Sequence, residues 1–65
     1  MVSRDQATQA ALEYVGGGRV EKMELEREHG LAFWEVKVKG ARVYGEAKVR
    51  VDAYTGQVAY ASRDD

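Results

Sequence analysis

The chain has 65 residues, with 10 Lys and Arg against 11 Asp and Glu, a single His and no Cys, for a formal net charge of −1. A chain this short buries only about 60% of its unfolded surface, so nearly all its apolar side chains are needed for one small core and few remain to wall a catalytic cleft. The absence of cysteine removes disulfides, thiolate metal sites and cysteine nucleophiles, one histidine cannot make a multi-histidine metal site, no apolar run approaches the ~20 residues of a membrane span, and no N-terminal segment reads as a signal peptide.

The length fits a whole small protein or one domain of a longer one. At 45% apolar and 32% charged residues the composition is that of a folded chain. No internal repeat or low-complexity tract interrupts it before the tail Arg63-Asp64-Asp65.

The first element is a helix over about residues 4–15. Ser3-Arg4-Asp5-Gln6 has the spacing of a capping box, with Val2 and Ala7 at the staple positions that flank it. Ala7, Ala10, Ala11, Leu12, Tyr14 and Val15 fall on one side of a 3.6-residue period, and Asp5, Gln6, Gln9 and Glu13 on the other. Gly16-Gly17-Gly18 ends the helix, because glycine takes the left-handed terminating conformation at little cost. The apolar face is mostly alanine, so the helix can lie close against a sheet.

Beyond Gly18 the apolar period changes to 2, predicting strands over about 19–28, 31–39, 42–52 and 57–61. Met23 and Leu25, then Trp34, Val36 and Val38, then Val43, Ala47, Val49 and Val51, then Val58 and Tyr60 form one face, and charged residues fill most of the other. His29-Gly30 reads as a two-residue hairpin turn that sets Leu25 opposite Trp34. Gly40-Ala41 reads as a type II′ turn that sets Val38 opposite Val43 and Trp34 opposite Ala47. Ala53-Tyr54-Thr55-Gly56 reads as a loop that sets Val51 opposite Val58 and Val49 opposite Tyr60. These registers also oppose Glu24 to Glu35 and Glu35 to Glu46, two like-charge pairs. Val20 is out of phase with Met23, which predicts a bulge between them. The predicted fold is α+β, one N-terminal helix packed on a four-stranded antiparallel meander.

The side chains with chemical potential have structural explanations at hand. His29 sits at an unshielded hairpin tip, where Glu28 beside it offers no more than adventitious metal contact. Glu24, Glu26, Glu35 and Glu46 lie on the wet face among Lys37, Lys39, Lys48 and Arg50. The triple glycine closes a helix and opens a strand, the reverse of a phosphate-binding loop. Lys37, Lys39, Arg42, Lys48 and Arg50 with Phe33 and Tyr44 form a patch of the kind that binds single-stranded nucleic acid, but Glu35 and Glu46 interrupt it and the net charge opposes it. Trp34 has core parity. Phe33 has outward parity, either as a contact residue or beneath the stem of Lys48. The Asp52 carboxylate can accept amides of its loop, and Tyr54 projects from the loop tip.

In a meander the first and last strands are edges. The first is dense with charge and guarded against pairing. The last, Gln57-Val58-Ala59-Tyr60-Ala61, has no charge and no proline, with Ala59 and Ala61 read as its small outward residues. Such an edge can accept a strand from a protein or peptide partner or from a second copy of the domain.

The ordered set "AALEYV", "GGGRVEKMELE", "HGLAFWEVKV" and "AKVRVDAYTGQV" resembles the PepSY family over about residues 3–61, most specifically in the closing hairpin Val51-Asp52-Ala53-Tyr54-Thr55-Gly56-Gln57-Val58 and in Trp34-Glu35-Val36. The resemblance implies a small non-catalytic module found in propeptides of thermolysin-like metallopeptidases and in secreted, periplasmic or membrane-attached bacterial proteins, with a role in inhibiting or regulating a peptidase or binding its pro-form. It carries no catalytic, cofactor or metal residues over to this chain. The expectation is therefore a single protein-binding domain over 1–65, without cofactor, whose contacts are Phe33, Tyr44, Tyr54, Ala59 and Ala61. The competing readings are a structural or oligomerising domain with no diffusible ligand and, less favoured, a weak single-stranded nucleic-acid binder.

Overall fold

The computed structural model describes residues 1–64. It contains one helix, α1 (Arg4–Val15), followed by four strands, β1 (Arg19–Glu28), β2 (Leu31–Ala41), β3 (Gly45–Asp52) and β4 (Val58–Arg63). The strands form one open antiparallel sheet in the order β1-β2-β3-β4, and α1 lies across β2 and β3. This is the predicted helix-on-meander arrangement.

The helix begins and ends as its sequence dictates. The Gln6 amide donates to Ser3 Oγ at 3.1 Å, and the Ser3 amide donates to Gln6 Oε1 at 2.8 Å. Gly16 terminates the helix at φ 83°, and the Gly17 amide bonds the Leu12 carbonyl at 2.8 Å. Ala7, Ala11 and Val15 are fully buried. Tyr14, placed on the apolar face by the periodicity, is instead 55% exposed. The contact of Thr8 Oγ1 with Met23 Sδ at 3.3 Å turns the Thr8–Leu12 flank of the helix toward β1. Tyr14 and Ala10 lie on the opposite flank, toward β4.

The core contains only small residues. Its largest fully buried side chains are Val15, Val36, Val38, Val49 and Val51, packed with Ala7, Ala11 and Ala47. Met23, Trp34, Tyr44 and Val58 close its rim as partly buried side chains. Thin residues on both layers allow a close approach. The link from α1 to β1 is also tight against β2: an added Cβ on Gly18 would stand 2.7 Å from the Lys39 carbonyl oxygen, so only glycine fits there.

The first hairpin has the predicted register, with Leu25 opposite Trp34, Met23 opposite Val36 and Glu24 opposite Glu35, and the bulge lies between Val20 and Lys22. The second hairpin does not. β2 continues through Gly40 to Ala41, the turn falls at Arg42–Tyr44, and Val38 faces Ala47 while Trp34 faces Val51. Val43, predicted to face the core, is 64% exposed. Gly40 takes φ 73° where the register shifts, Gly45 takes φ 76° at the far side of the turn, and the Val43 amide donates to the Val15 carbonyl at 3.3 Å. The observed register sets Glu35 against Arg50 and Lys39 against Glu46. It thereby replaces the Glu35–Glu46 pair with unlike ones, and the like-charge pair it creates, Lys37 opposite Lys48, is offset by Asp64 and Glu35, which contact those two lysines.

The third hairpin departs in its second half. Val51 faces Val58, as predicted, but a register shift between Arg50 and Val51 leaves Ala59 unpaired and sets Tyr60 opposite Arg50. This bulge exchanges the faces of the residues beyond it. Tyr60 lies on the outer face, 57% exposed, and Ala61 packs on the core side opposite Val49.

Candidate functional site

Three chain segments meet at the end of the sheet that carries the N-terminus of α1, and a short hydrogen-bonded network fixes them. Asp52 Oδ1 accepts the amides of Tyr54 at 2.8 Å and Thr55 at 3.1 Å, as the sequence predicts, and Thr55 Oγ1 accepts the Gln57 amide at 3.2 Å. The Ala53 amide donates to the Ala32 carbonyl at 2.9 Å, and the Val2 amide donates to the Ala53 carbonyl at 2.7 Å. Trp34 Nε1 donates to the Val2 carbonyl at 3.3 Å. The indole is half-buried on the helix side, so Trp34 is a structural pin for the entering chain.

On this rigid base Tyr54 stands 57% exposed and Leu31 53% exposed, together lining a hollow with Arg27, Glu28, His29 and Gly30. Two large apolar side chains held out of the core on a fixed loop and a hairpin end have the form of contact residues. Tyr54 was legible from its loop. Leu31 was not singled out, although it shares the outward parity of Phe33 and directly follows the turn. His29 is exposed at the tip with φ 50° and belongs to no metal-binding cluster among the described residues.

The remaining predicted contact residues are dispersed. Phe33 is half-buried on the outer face with the Arg50 guanidinium 5.6 Å above its ring centroid, so its cover is Arg50 rather than Lys48. Tyr44, read as outward, packs against the core from the β2–β3 turn. Ala61 faces inward, and Ala59 is exposed at the bulge.

The outer face is a lattice of ion pairs. Glu35 contacts both Arg50 Nε at 3.3 Å and Lys48 Nζ at 3.7 Å. Lys37 meets Asp64 at 3.3 Å, Lys22 meets Glu24 at 3.6 Å, and Lys39 meets Glu21 at 2.9 Å and Glu46 at 3.9 Å. The hydrogen bond that the Lys39 ammonium donates to Glu21, the charge of Glu21, and the charge of Glu46 hold that ammonium above the usual lysine range. Four of the five basic residues of the predicted patch, Lys37, Lys39, Lys48 and Arg50, thus have carboxylate partners, which lowers the positive charge they offer a phosphate backbone. Among the described residues no polar or charged side chain is buried, and no helix is long and apolar enough to cross a membrane.

The sheet has two free edges. β1 carries Glu21, Lys22, Glu24, Glu26, Arg27 and Glu28. β4 carries no charge before Arg63 and has Tyr60 on its outer face. Tyr60 was missed because its predicted parity was inward, and only the bulge turns it out.

The family model for the peptidase propeptide and YPEB domain, PepSY, matches residues 1–60 of the 65-residue chain. No curated protein and no solved structure matches it.

Proposed function

The chain belongs to the PepSY family, and from that premise we propose that it is a non-catalytic module that binds a peptidase or its pro-form and regulates it by covering surface. The observation that carries this reading is the family match over residues 1–60, a family associated with propeptide and regulatory roles. The surface chemistry agrees with it. The exposed apolar groups at the Tyr54–Leu31 end are suited to protein contact, Asp52 and Thr55 are engaged in holding the loop, and Arg27, Glu28 and His29 form an exposed polar rim. Tyr54 and Leu31 form the contact.

Titration of a thermolysin-like metallopeptidase with the domain tests this. Wild type is expected to inhibit, and Tyr54→Asp and Leu31→Asp to weaken inhibition about tenfold or more, the loss expected on truncating a contact anchor. Both side chains are exposed, so the melting temperature should stay within a few degrees of wild type. Absence of inhibition by wild type, or unchanged inhibition by both variants, overturns the reading.

A further inference from the structure

We propose that β4 is a self-complementary edge through which two copies of this domain pair antiparallel about a two-fold axis at Ser62. The inference goes beyond the peptidase reading and uses a different surface.

Hydrogen-bond direction establishes which groups are free. The Asp64 amide donates to the Glu46 carbonyl at 2.9 Å, and the register continues with Ser62 opposite Lys48 and Tyr60 opposite Arg50. Groups along an antiparallel strand alternate between its two sides. Tyr60, Ser62 and Asp64 therefore bond to β3, while Ala61 and Arg63 present their N–H and C=O groups to the open edge. The bulge at Ala59 begins the regular stretch at Tyr60, and β3, which starts at Gly45, offers its last hydrogen-bonded position at Glu46, opposite Asp64, so the stretch is centred on Ser62.

A two-fold axis through Ser62 pairs Ala61 with Arg63 of the second copy, Arg63 with Ala61, Tyr60 with Asp64, and Ser62 with itself. Each Ala61–Arg63 pair exchanges both N–H···O bonds, four bonds in all. No like charges are opposed, since each arginine meets an alanine and each aspartate a tyrosine. The close pair at the axis, with Cα atoms about 4.5 Å apart, is two serines, small enough to fit. An axis at Ala61 would instead require the bulged Ala59 to pair. The two helices would lie on the same face with axes about 19 Å apart, four strand spacings. That is too wide for helix packing, and it leaves Tyr14 on each β4-facing flank to line the gap. An interface this short falls below the standard size, so the dimer is a weak one.

Amide exchange by NMR, followed from about 10 µM to about 1 mM to bracket a weak dimer, reads the alternation directly. The amides of Tyr60, Ser62 and Asp64 should be protected throughout, and those of Ala61 and Arg63 should slow about tenfold as concentration rises. Sedimentation should show dimer over the same range. Arg63→Pro removes only an edge-facing N–H, and Ser62→Glu places a carboxylate beside Lys48 of its own chain and against its own copy at the axis. Each should weaken the dimer about tenfold or more, with the helix and β1–β3 protection intact. A monomer at every concentration overturns the proposal. So does protection of Ala61 and Arg63 that appears only when a metallopeptidase is added, which would assign the edge to that partner. Loss of peptidase inhibition in Tyr54→Asp bears only on the earlier reading, because that residue lies outside the paired stretch.

Discussion

The two faces of the sheet are built from opposite materials. The helix side is dry and made of valine and alanine, with Val36, Val49, Val51 and Ala47 at 0% exposure. The far side is wet and made of charge, and its best-shielded ion, Glu35, keeps its side chain 16% exposed. Apolar burial on one face supplies the stability, while the paired charges opposite contribute little each. The outward side chains of the far side, the edges and the loop end are therefore free to vary for binding without endangering the fold, whereas Ala53, Trp34, Val58 and Ala61 there are held by the core and the loop network.

The sharpest way to break this contrast is to move one face's chemistry to the other. A 65-residue domain has about 3–10 kcal/mol of stability in total. Val49→Asp buries an unpaired carboxylate under α1 at a cost of several kcal/mol, and the protein should be unfolded by circular dichroism at 25 °C. The milder Val49→Ala leaves a void of two methyl groups and should cost about 2 kcal/mol in urea unfolding. A folded Val49→Asp protein would show that the helix does not seal this face.

The close approach of the α1–β1 link to β2 offers a second test, somewhat smaller. Gly18 takes φ +116° with the Lys39 carbonyl 2.7 Å and Val38 Cγ1 2.8 Å from an added Cβ, while Gly17 takes φ +97° with nothing within 4 Å. Both substitutions to alanine incur backbone strain, about 1 kcal/mol at Gly17. Gly18→Ala must also displace β2 backbone and should cost about 2 kcal/mol, measured as the difference in urea midpoint between the variants. Equal losses would mean that the crowding at Gly18 relaxes freely.

The same contrast explains what could be read from the sequence. Alternation assigns a residue to a face, but it repeats every two residues, so an even slip leaves every face unchanged. Pairing Val38 with Val43 instead of Ala47 is a slip of four, which is why the register was wrong while the apolar face of β2 and β3 was right except at Val43, which the true turn leaves exposed. The Glu35–Glu46 clash was the available clue, and the observed register removes it. The Glu24–Glu35 clash was equally visible, yet it is real, because a two-residue turn leaves the first hairpin no freedom and Lys48 and Arg50 neutralise Glu35 from β3. A bulge defeats parity outright. Ala59-Tyr60-Ala61 contains no glycine or charge to announce one, so Tyr60 and Ala61 were assigned to each other's faces. At the candidate site, Tyr54 and Asp52 were legible because turn chemistry is local. The hollow that Tyr54 shares with Leu31 depends on two hairpins ending side by side, which only the assembled sheet displays.

The smallest effect lies on the charged face, and there the sign itself is informative. Glu35→Gln removes the carboxylate shared by Lys48 and Arg50 but also relieves its repulsion from Glu24, which stands opposite. Two cation contacts at a largely shielded group outweigh one repulsion at an exposed group, so the substitution should destabilise the domain by about 0.5–1 kcal/mol. Screening acts on both proteins, but more strongly where the net interaction is attractive. The gap between wild type and variant in thermal unfolding should therefore narrow as salt rises from about 0.05 M to about 1 M. Lys39 on the same face supplies the internal control. Its raised pKa, caused first by Glu21 and then by Glu46, means that whatever it contributes is fully present below the unfolded lysine value and is lost only as pH climbs through the higher folded one. Between pH 5 and 9 the Glu35→Gln gap should owe nothing to Lys39, and a gap that widened with salt would show that the Glu24 repulsion, not the cation pairing, dominates the outer face.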